Sequence, residues 1–292
     1  MGAFGYILFY LGTGLIVPLF AKERKGKLYS SLLVISIIIF CAIKGLVYDT
    51  ATDYMDYYDF YTSGLSPNSE HAESLYKILV TFLHSICSYP FLFFALCAFL
   101  NTYAMLEIGH YYENSQRQVL LLWPIFMLSL SVNLYRQYIA LAFIVLLYLA
   151  FQKRSWIKAG ICAIIAVGFH TSALIGVFFL GVAYILSRYK INKWFFIAGI
   201  ISATLLSSYY IESILSFSTI ISIYYQQQTG QLYDTMRLAD SVYTANTLQY
   251  FNMIFGCILV WCVDKILGSE KKYRLLFYLF AIGQILSPIM RE

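Results

Sequence analysis

NLYRQYIALAFIVLLYLAF, residues 133–151, is an apolar run that carries one charge, Arg136. A transmembrane helix needs about 20 consecutive, mostly apolar residues, so this run is long enough to cross a bilayer. Similar runs recur along the 292-residue chain, of which 60% is hydrophobic and 12% charged, with a mean hydropathy of +0.70. No water-soluble core could bury that much apolar surface. The sequence therefore predicts an all-α, polytopic transmembrane protein.

Ten apolar runs are candidate membrane spans, which predicts about ten crossings. They are charge-poor and lack the strict alternation of outer-membrane barrel strands. A shorter run at 74–87 is interpreted as a re-entrant or interfacial helix; the alternative is that 118–132, also short, fails to cross. The ten candidate spans are 4–20, 28–47, 89–108, 118–132, 133–151, 156–170, 171–187, 193–212, 247–266 and 274–290.

The basic residues cluster in short loops at 22–27, 153–154, 188–190 and 271–274. Because cytoplasmic loops of membrane proteins are enriched in Lys and Arg, these loops are predicted to be cytoplasmic. The N-terminus, the loops 48–73 and 212–246, and the turns near Arg136 and His170 then fall outside. A nucleic-acid partner is not expected, since no basic patch lies beyond these loops.

The chain is predicted to be a single transmembrane domain, residues 1–292, because no soluble domain, linker or internal repeat is evident. Its last apolar run ends on Arg291 and Glu292, which suggests a truncated product. All six cysteines lie in apolar segments and are interpreted as small buried hydrophobes. We expect no metal and no cofactor.

The first predicted outer loop contains YDTATDYMDYYDFY, residues 48–61, with four carboxylates and six aromatic residues. In a helix, Asp49, Asp53 and Asp56 would share one face. Such a group of like charges could supply a general base or await a cation. The alternative is a solvated interfacial helix whose tyrosines lie at the level of the lipid headgroups.

Four further residues are candidates because ionisable groups in or beside a bilayer are costly. Lys44 and Arg136 lie near the outer ends of their spans and could bind a phosphate or pyrophosphate, or else snorkel to ordinary lipid phosphates. His170, at an outer turn, could donate to a phosphate, shuttle a proton or act only as a structural hydrogen-bonder. Glu73 precedes an apolar run, where a carboxylate also suits a helix N-terminus.

Four segments together resemble the EpsG family of Wzy-type polysaccharide polymerases, bacterial membrane proteins of exopolysaccharide and O-antigen assembly. They occur in the family's order, and they are 44–57, Glu73-Ser74-Leu75-Tyr76, Leu134-Tyr135-Arg136-Gln137-Tyr138-Ile139-Ala140 and Phe169-His170-Thr171-Ser172-Ala173. Two departures occur: Lys44 replaces an arginine, and Ala51 or Thr52 replaces a glycine.

The resemblance implies a multi-helix glycosyltransferase that joins repeat units carried on polyprenyl pyrophosphate. It also implies a multi-pass protein of the bacterial plasma membrane with its site facing outside. Its partners would be the lipid-linked glycan, the bilayer and, as a further candidate, a chain-length regulator. Apolar grooves between helices would hold the lipid, and tyrosines of the outer loops would stack on the glycan.

On this resemblance the candidate residues acquire roles. Sugar transfer needs a base for the acceptor hydroxyl and cations for the pyrophosphate leaving group. We expect Asp53 to be the base and Arg136 and His170 to act on the pyrophosphate as the other catalytic groups. The expected substrate-binding residues are Lys44, Asp49, Tyr57, Glu73 and Gln137.

Two other functions remain open. A flippase or transporter of lipid-linked oligosaccharide would need cations and aromatic residues but no base. A membrane acyltransferase would use His170 as its catalytic base. One outer-facing cavity holding Asp53 and Arg136 favours the polymerase, whereas a passage through the membrane with His170 midway favours the other two.

Overall fold

The computed structural model describes residues 27–46, 54–63, 72–112, 135–189, 191–206, 247–267 and 271–286. Within these ranges the secondary structure is helical and contains no strand, which confirms the predicted all-α class. The helices are α1 Lys27–Gly45, α2 Tyr54–Ser63, α3 Ser74–Ile86, α4 Phe91–Tyr111, α5 Tyr135–Gln152, α6 Trp156–Phe169, α7 Ala173–Leu186, α8 Lys193–Leu205, α9 Thr247–Leu267 and α10 Lys271–Leu286.

Eight of the ten predicted spans coincide with observed helices, α1 and α4 to α10. The other two, 4–20 and 118–132, lie outside the described residues. Three helices, α1, α4 and α5, are long and apolar enough to cross a membrane by length and composition. Helices α6 and α7, of 14 residues each, and α8, of 13, are shorter, and α8 ends at Leu205 instead of the predicted 212.

Large apolar side chains point outward along the helices. Examples are Ile38 on α1, which is 61% exposed, and Ile157 and Ile164 on α6, which are 81% and 73% exposed. Water-soluble monomers seldom expose apolar surface so continuously, whereas a hydrocarbon solvent accepts it. The chain is a helical membrane protein.

The chain divides into two compact units, one up to Phe178 and one from Phe179. In the first unit α4 packs against both α1 and α5, and α5 packs against α6. Helices α1 and α4 are antiparallel, because Gly45 at the end of α1 meets Phe91 at the start of α4. A methyl group at Gly45 would lie 2.8 Å from the Phe91 carbonyl oxygen, so glycine permits this approach.

Helices α4 and α5 run parallel. Near their starts the rings of Phe94 and Tyr135 are 4.7 Å apart, and near their ends the hydroxyls of Tyr112 and Tyr148 share a hydrogen bond. The amide of Gln152 also donates to the Tyr148 hydroxyl at 2.9 Å. The starts of α4 and α5 therefore define one end of the first unit, which we call the cluster end.

A tight turn joins α5 to α6 at the opposite end. Arg154 has a positive φ of 53°, the left-handed conformation that commonly ends a helix. The Ser155 amide donates to the Ala150 carbonyl, and the Arg154 amide donates to that of Phe151. These two bonds form a Schellman motif, which reverses the chain and returns α6 to the cluster end.

Helix α3 lies at the cluster end with both of its termini. Leu75, at its start, packs against Gly168 near the end of α6, and Cys87, at its other terminus, accepts a hydrogen bond from the Tyr61 hydroxyl of α2. Both ends of this 13-residue helix therefore lie at the cluster end. The interpretation of 74–87 as a re-entrant or interfacial helix stays a prediction.

In the second unit α8, α9 and α10 pack pairwise against one another. Helix α8 begins after Asn192, whose side chain caps it by accepting from the Trp194 amide at 3.1 Å. The hydroxyl of Tyr278 on α10 donates to the Tyr189 carbonyl and accepts from the Ile191 amide, which ties the loop before α8 to α10.

Candidate functional site

Glu73 occupies the N-cap position of α3, with extended backbone angles of φ −62° and ψ 147°. A carboxylate in that position usually accepts from the free amides of the first helical turn. The Glu73 side chain makes no such bond. A helix does start after this residue, but the alternative interpretation of Glu73 as only a helix cap is wrong, because its carboxylate bonds to other groups.

The carboxylate of Glu73 joins two groups that come from α5 and from the end of α6. Arg136 donates from Nη1 to Oε2 at 2.8 Å, and His170 lies with Nδ1 2.8 Å from Oε1. The backbone amide of Thr171 donates to Oε1 at 3.3 Å. Three predicted candidates that are far apart in sequence thus form one connected group, which we call the Glu73 cluster.

The cluster is largely withdrawn from solvent. The side chains of Glu73, His170 and Arg136 are 12%, 18% and 25% exposed. Burial by itself would raise the pKa of Glu73, but its own backbone amide, Arg136, His170 and the Thr171 amide outweigh that effect and lower the pKa below its ordinary value. Glu73 is therefore held as a carboxylate.

Aromatic residues of α2 and α3 surround Arg136. Tyr57 forms a side-chain hydrogen bond with Arg136, and the guanidinium carbon lies 5.5 Å from the centre of the Tyr76 ring. The ring of Tyr57 meets that of Tyr76 edge to face. A guanidinium between a carboxylate and an aromatic ring is fixed in direction as well as paired in charge.

Helix α2 places its tyrosines inward. Tyr54, Tyr57 and Tyr61 lie on one face and are buried, whereas Asp56 and Asp59 are exposed on the other. The three buried rings pack against Phe93 and Phe94 of α4, so they form core. The expectation that loop tyrosines lie free to stack on glycan is wrong for these three, because their faces are already covered.

The remaining predicted site residues do not belong to the Glu73 cluster as the structure describes it. Lys44 lies buried in the last turn of α1, at the cluster end. Gln137 is exposed and is not part of the cluster, since one residue along a helix rotates the side chain by about 100° from Arg136. Asp49 and Asp53 lie outside the described residues.

Two members of the site were not singled out from the sequence as contacts. Tyr76 lies three residues after Glu73, on the same face of α3, and that spacing was an available signal. The Thr171 amide carries no sequence signal of its own. Among the described residues, no group of three or more His, Cys, Asp or Glu side chains could hold a metal ion.

The fold and site define a polytopic helical membrane protein with a partly buried carboxylate–guanidinium–imidazole group at one end of its first unit. The chain belongs to the EpsG family, whose model matches residues 30–291. This is the family of Wzy-type polysaccharide polymerases, as the sequence resemblance indicated, and membership implies a membrane polysaccharide polymerase. Neither the curated proteins nor the solved structures contain a match.

Proposed function

We propose that the protein joins oligosaccharide repeat units carried on polyprenyl pyrophosphate, and that the Glu73 cluster is part of its active site. The observation that carries this proposal is the convergence of Glu73, Arg136 and His170 within hydrogen-bonding distance. Ionisable groups withdrawn from water in a membrane protein are costly and mark functional sites. Here three partly buried groups contact one another at the cluster end of the first unit, which packing alone does not require.

The cluster faces the outside in this proposal. It lies at the start of α5 and the end of α6, whereas Lys153 and Arg154 occupy the turn at the opposite ends of these helices. Basic turns are retained on the cytoplasmic side, which puts the other end of both helices outside. A lipid-linked repeat unit presented in the outer leaflet of the bacterial plasma membrane could reach the cluster there.

Arg136 supplies positive charge and directed donors for the pyrophosphate leaving group. A guanidinium has five N–H donors, and its bonds to Glu73 and Tyr57 leave others for phosphate oxygens. Lys44 lies at the same end of the unit and adds a second cation. Cations aimed at the charge that develops on a leaving group stabilise the transition state.

We assign the polyprenyl chain of the substrate to an apolar cleft in the first unit. This cleft has a volume of about 470 Å³ and lies between α1 and α4, with Leu83 of α3 at its side. Its lining is apolar throughout, and Cys41 and Ala42 extend it to within one turn of Lys44. A polyprenyl chain in the cleft would therefore run toward a cation suited to its phosphate.

Two residues are candidates for the base that activates the acceptor hydroxyl, Asp53 and His170. Asp53 is proposed from the family motif, and His170 has the geometry described above. Asp49 and Gln137 stay proposed as substrate contacts. A chain-length regulator stays a proposed partner.

Polymer formation by purified protein in liposomes tests the function, with a lipid-linked oligosaccharide repeat as substrate and a gel ladder as the readout. We expect wild type to form the ladder and Arg136→Lys to lose most of it, because lysine keeps the charge but lacks the fork of donors. Arg188→Lys is the matched control, since Arg188 also contacts a tyrosine, Tyr184, but lies outside the cluster. We expect its ladder to be normal.

Two results would contradict this proposal. A full ladder from Arg136→Lys rules out directed pyrophosphate binding by the guanidinium. If wild type moves the lipid-linked repeat across the bilayer without extending it, the protein is a transporter and the proposed reaction is wrong.

A further inference from the structure

His170 is held at the end of α6 by both its backbone and its ring. His170 is the C-cap residue of α6, with extended backbone angles of φ −158° and ψ 124°. Its backbone amide donates to the Ala166 carbonyl. Its Nδ1 atom lies 2.8 Å from Glu73 Oε1. The backbone of His170 is thus held by α6, and its ring is held at Nδ1 by Glu73.

The electrostatics of Glu73 decide which ring nitrogen carries the proton. An ionised carboxylate can only accept hydrogen bonds, and Arg136 together with the Thr171 amide keeps Glu73 ionised. Nδ1 of His170 must therefore be the donor. In the neutral ring the proton then sits on Nδ1, and Nε2 keeps its lone pair. No residue in the described part of the chain hydrogen-bonds to Nε2.

We propose that His170 is the general base of the polymerase and that Glu73 is the positioning residue that fixes its tautomer. This inference rests on the proposed function and places the base at His170 instead of Asp53. A carboxylate that orients an imidazole through Nδ1 and stabilises the imidazolium formed at Nε2 is a recurring catalytic arrangement. In that arrangement Arg136 has two tasks, since it keeps Glu73 ionised and binds the leaving group.

In the proposed reaction, Nε2 of His170 takes the proton of the acceptor hydroxyl, and the acceptor oxygen forms a bond to the anomeric carbon of the donor sugar. The bond from that carbon to the pyrophosphate oxygen breaks, and its electron pair leaves with the polyprenyl pyrophosphate. The imidazolium carries one added positive charge beside the Glu73 carboxylate, and it returns its proton to solvent or to the released pyrophosphate.

A double-mutant cycle tests whether Glu73 acts through His170. General-base catalysis contributes roughly 10²- to 10⁴-fold, so we expect His170→Gln to lower kcat by about that factor. We expect Glu73→Gln to lower kcat as well, because glutamine can no longer hold the ring in one tautomer. In the double variant the second change should cost little more, since residues that act as a unit are not additive. Independent, additive losses would overturn the assignment.

Glu107→Gln is the matched control for Glu73→Gln, because Glu107 pairs with Lys153 at the opposite end of α4. We expect it to leave kcat unchanged.

The tautomer of His170 can be measured without any reaction. Nitrogen-15 spectra of histidine-labelled protein report which ring nitrogen carries the proton, and His170→Gln assigns the signal of His170. We expect the proton on Nδ1 in wild type. In Glu73→Gln we expect the proton to leave that position. A proton on Nε2 in wild type overturns this inference even if polymer forms. A proton on Nδ1 in a wild-type protein that makes no polymer instead shows that the proposed function has failed, and the base with it.

Discussion

At the scale of single residues, Glu73 combines a burial cost with four compensating interactions. Its side chain is 12% exposed, yet its pKa lies below the ordinary value of 4.5, since burial is outweighed by its own amide, Arg136, His170 and Thr171. A carboxyl group whose pKa is lowered by folding stabilises the folded state when it is ionised. Removing one partner from such a pair leaves the other partly buried and uncompensated.

The stabilisation of the folded state by the ionised Glu73 carboxylate should depend on pH. It is fully present above pH 4.5, the ordinary pKa of the carboxyl, and is lost as the pH falls through the lower folded pKa of Glu73. We expect the melting temperature of the detergent-solubilised wild type to fall more steeply over that acidic window than that of Glu73→Gln, which has no carboxyl to protonate. Arg136 and His170 face the group and are unchanged in both proteins. Parallel curves would show that the ion pair contributes nothing measurable.

The two candidate bases can be separated by the size of the loss. Asp53→Asn and His170→Gln each remove basicity with a small change in volume. Since a general base is worth roughly 10²- to 10⁴-fold, we expect His170→Gln to lower kcat at least about tenfold more than Asp53→Asn. The measurement is the initial rate of polymer formation at saturating lipid-linked repeat. The reverse order would return the role of base to Asp53.

At the scale of elements, the contact of α1 with α4 depends on Gly45. A methyl group there would lie 2.7 Å from the Phe91 ring and 2.8 Å from its carbonyl oxygen, and the backbone cannot easily yield. We expect Gly45→Ala to destabilise the protein by about 1–3 kcal/mol, as overpacking does. Gly160 of α6 has open space around it, so Gly160→Ala should be neutral or stabilising by up to about 1 kcal/mol. Thermal unfolding in detergent measures both, and equal melting temperatures would refute the tight contact.

Most elements could be predicted from the sequence because hydrophobicity in a membrane protein is a local signal. The runs at 133–151 and 156–170 match α5 and α6 within two residues, and the short run at 74–87 is the helix α3. The pairing of Glu73 with Arg136 and His170 was not predictable in the same way. These residues are 63 and 97 positions apart, so their contact depends on how α3, α5 and α6 pack, and a helix cap was the only local interpretation of Glu73.

At the scale of the whole molecule, the two ends of the first unit carry different groups, and the proposed reaction would take place at only one of them. Its cluster end holds Glu73, Arg136, His170 and the buried Lys44, and its other end holds the Schellman turn with Lys153 and Arg154. Helices α5 and α6 connect these ends directly. The direction of these two helices in the membrane therefore decides whether the site can meet a substrate in the outer leaflet.

Labelling of introduced cysteines measures that direction. In a background without the six native cysteines, Ser63→Cys, on the exposed end of α2, should react with a membrane-impermeant maleimide on intact cells. Lys153→Cys, in the basic turn with its side chain 51% exposed, should react only after permeabilisation. Because Ser63 and the cluster lie at the same end of one packed unit, these two labels report the side of the active site without touching it. The opposite pattern would place Glu73, Arg136 and His170 in the cytoplasm and contradict an outer-leaflet polymerase.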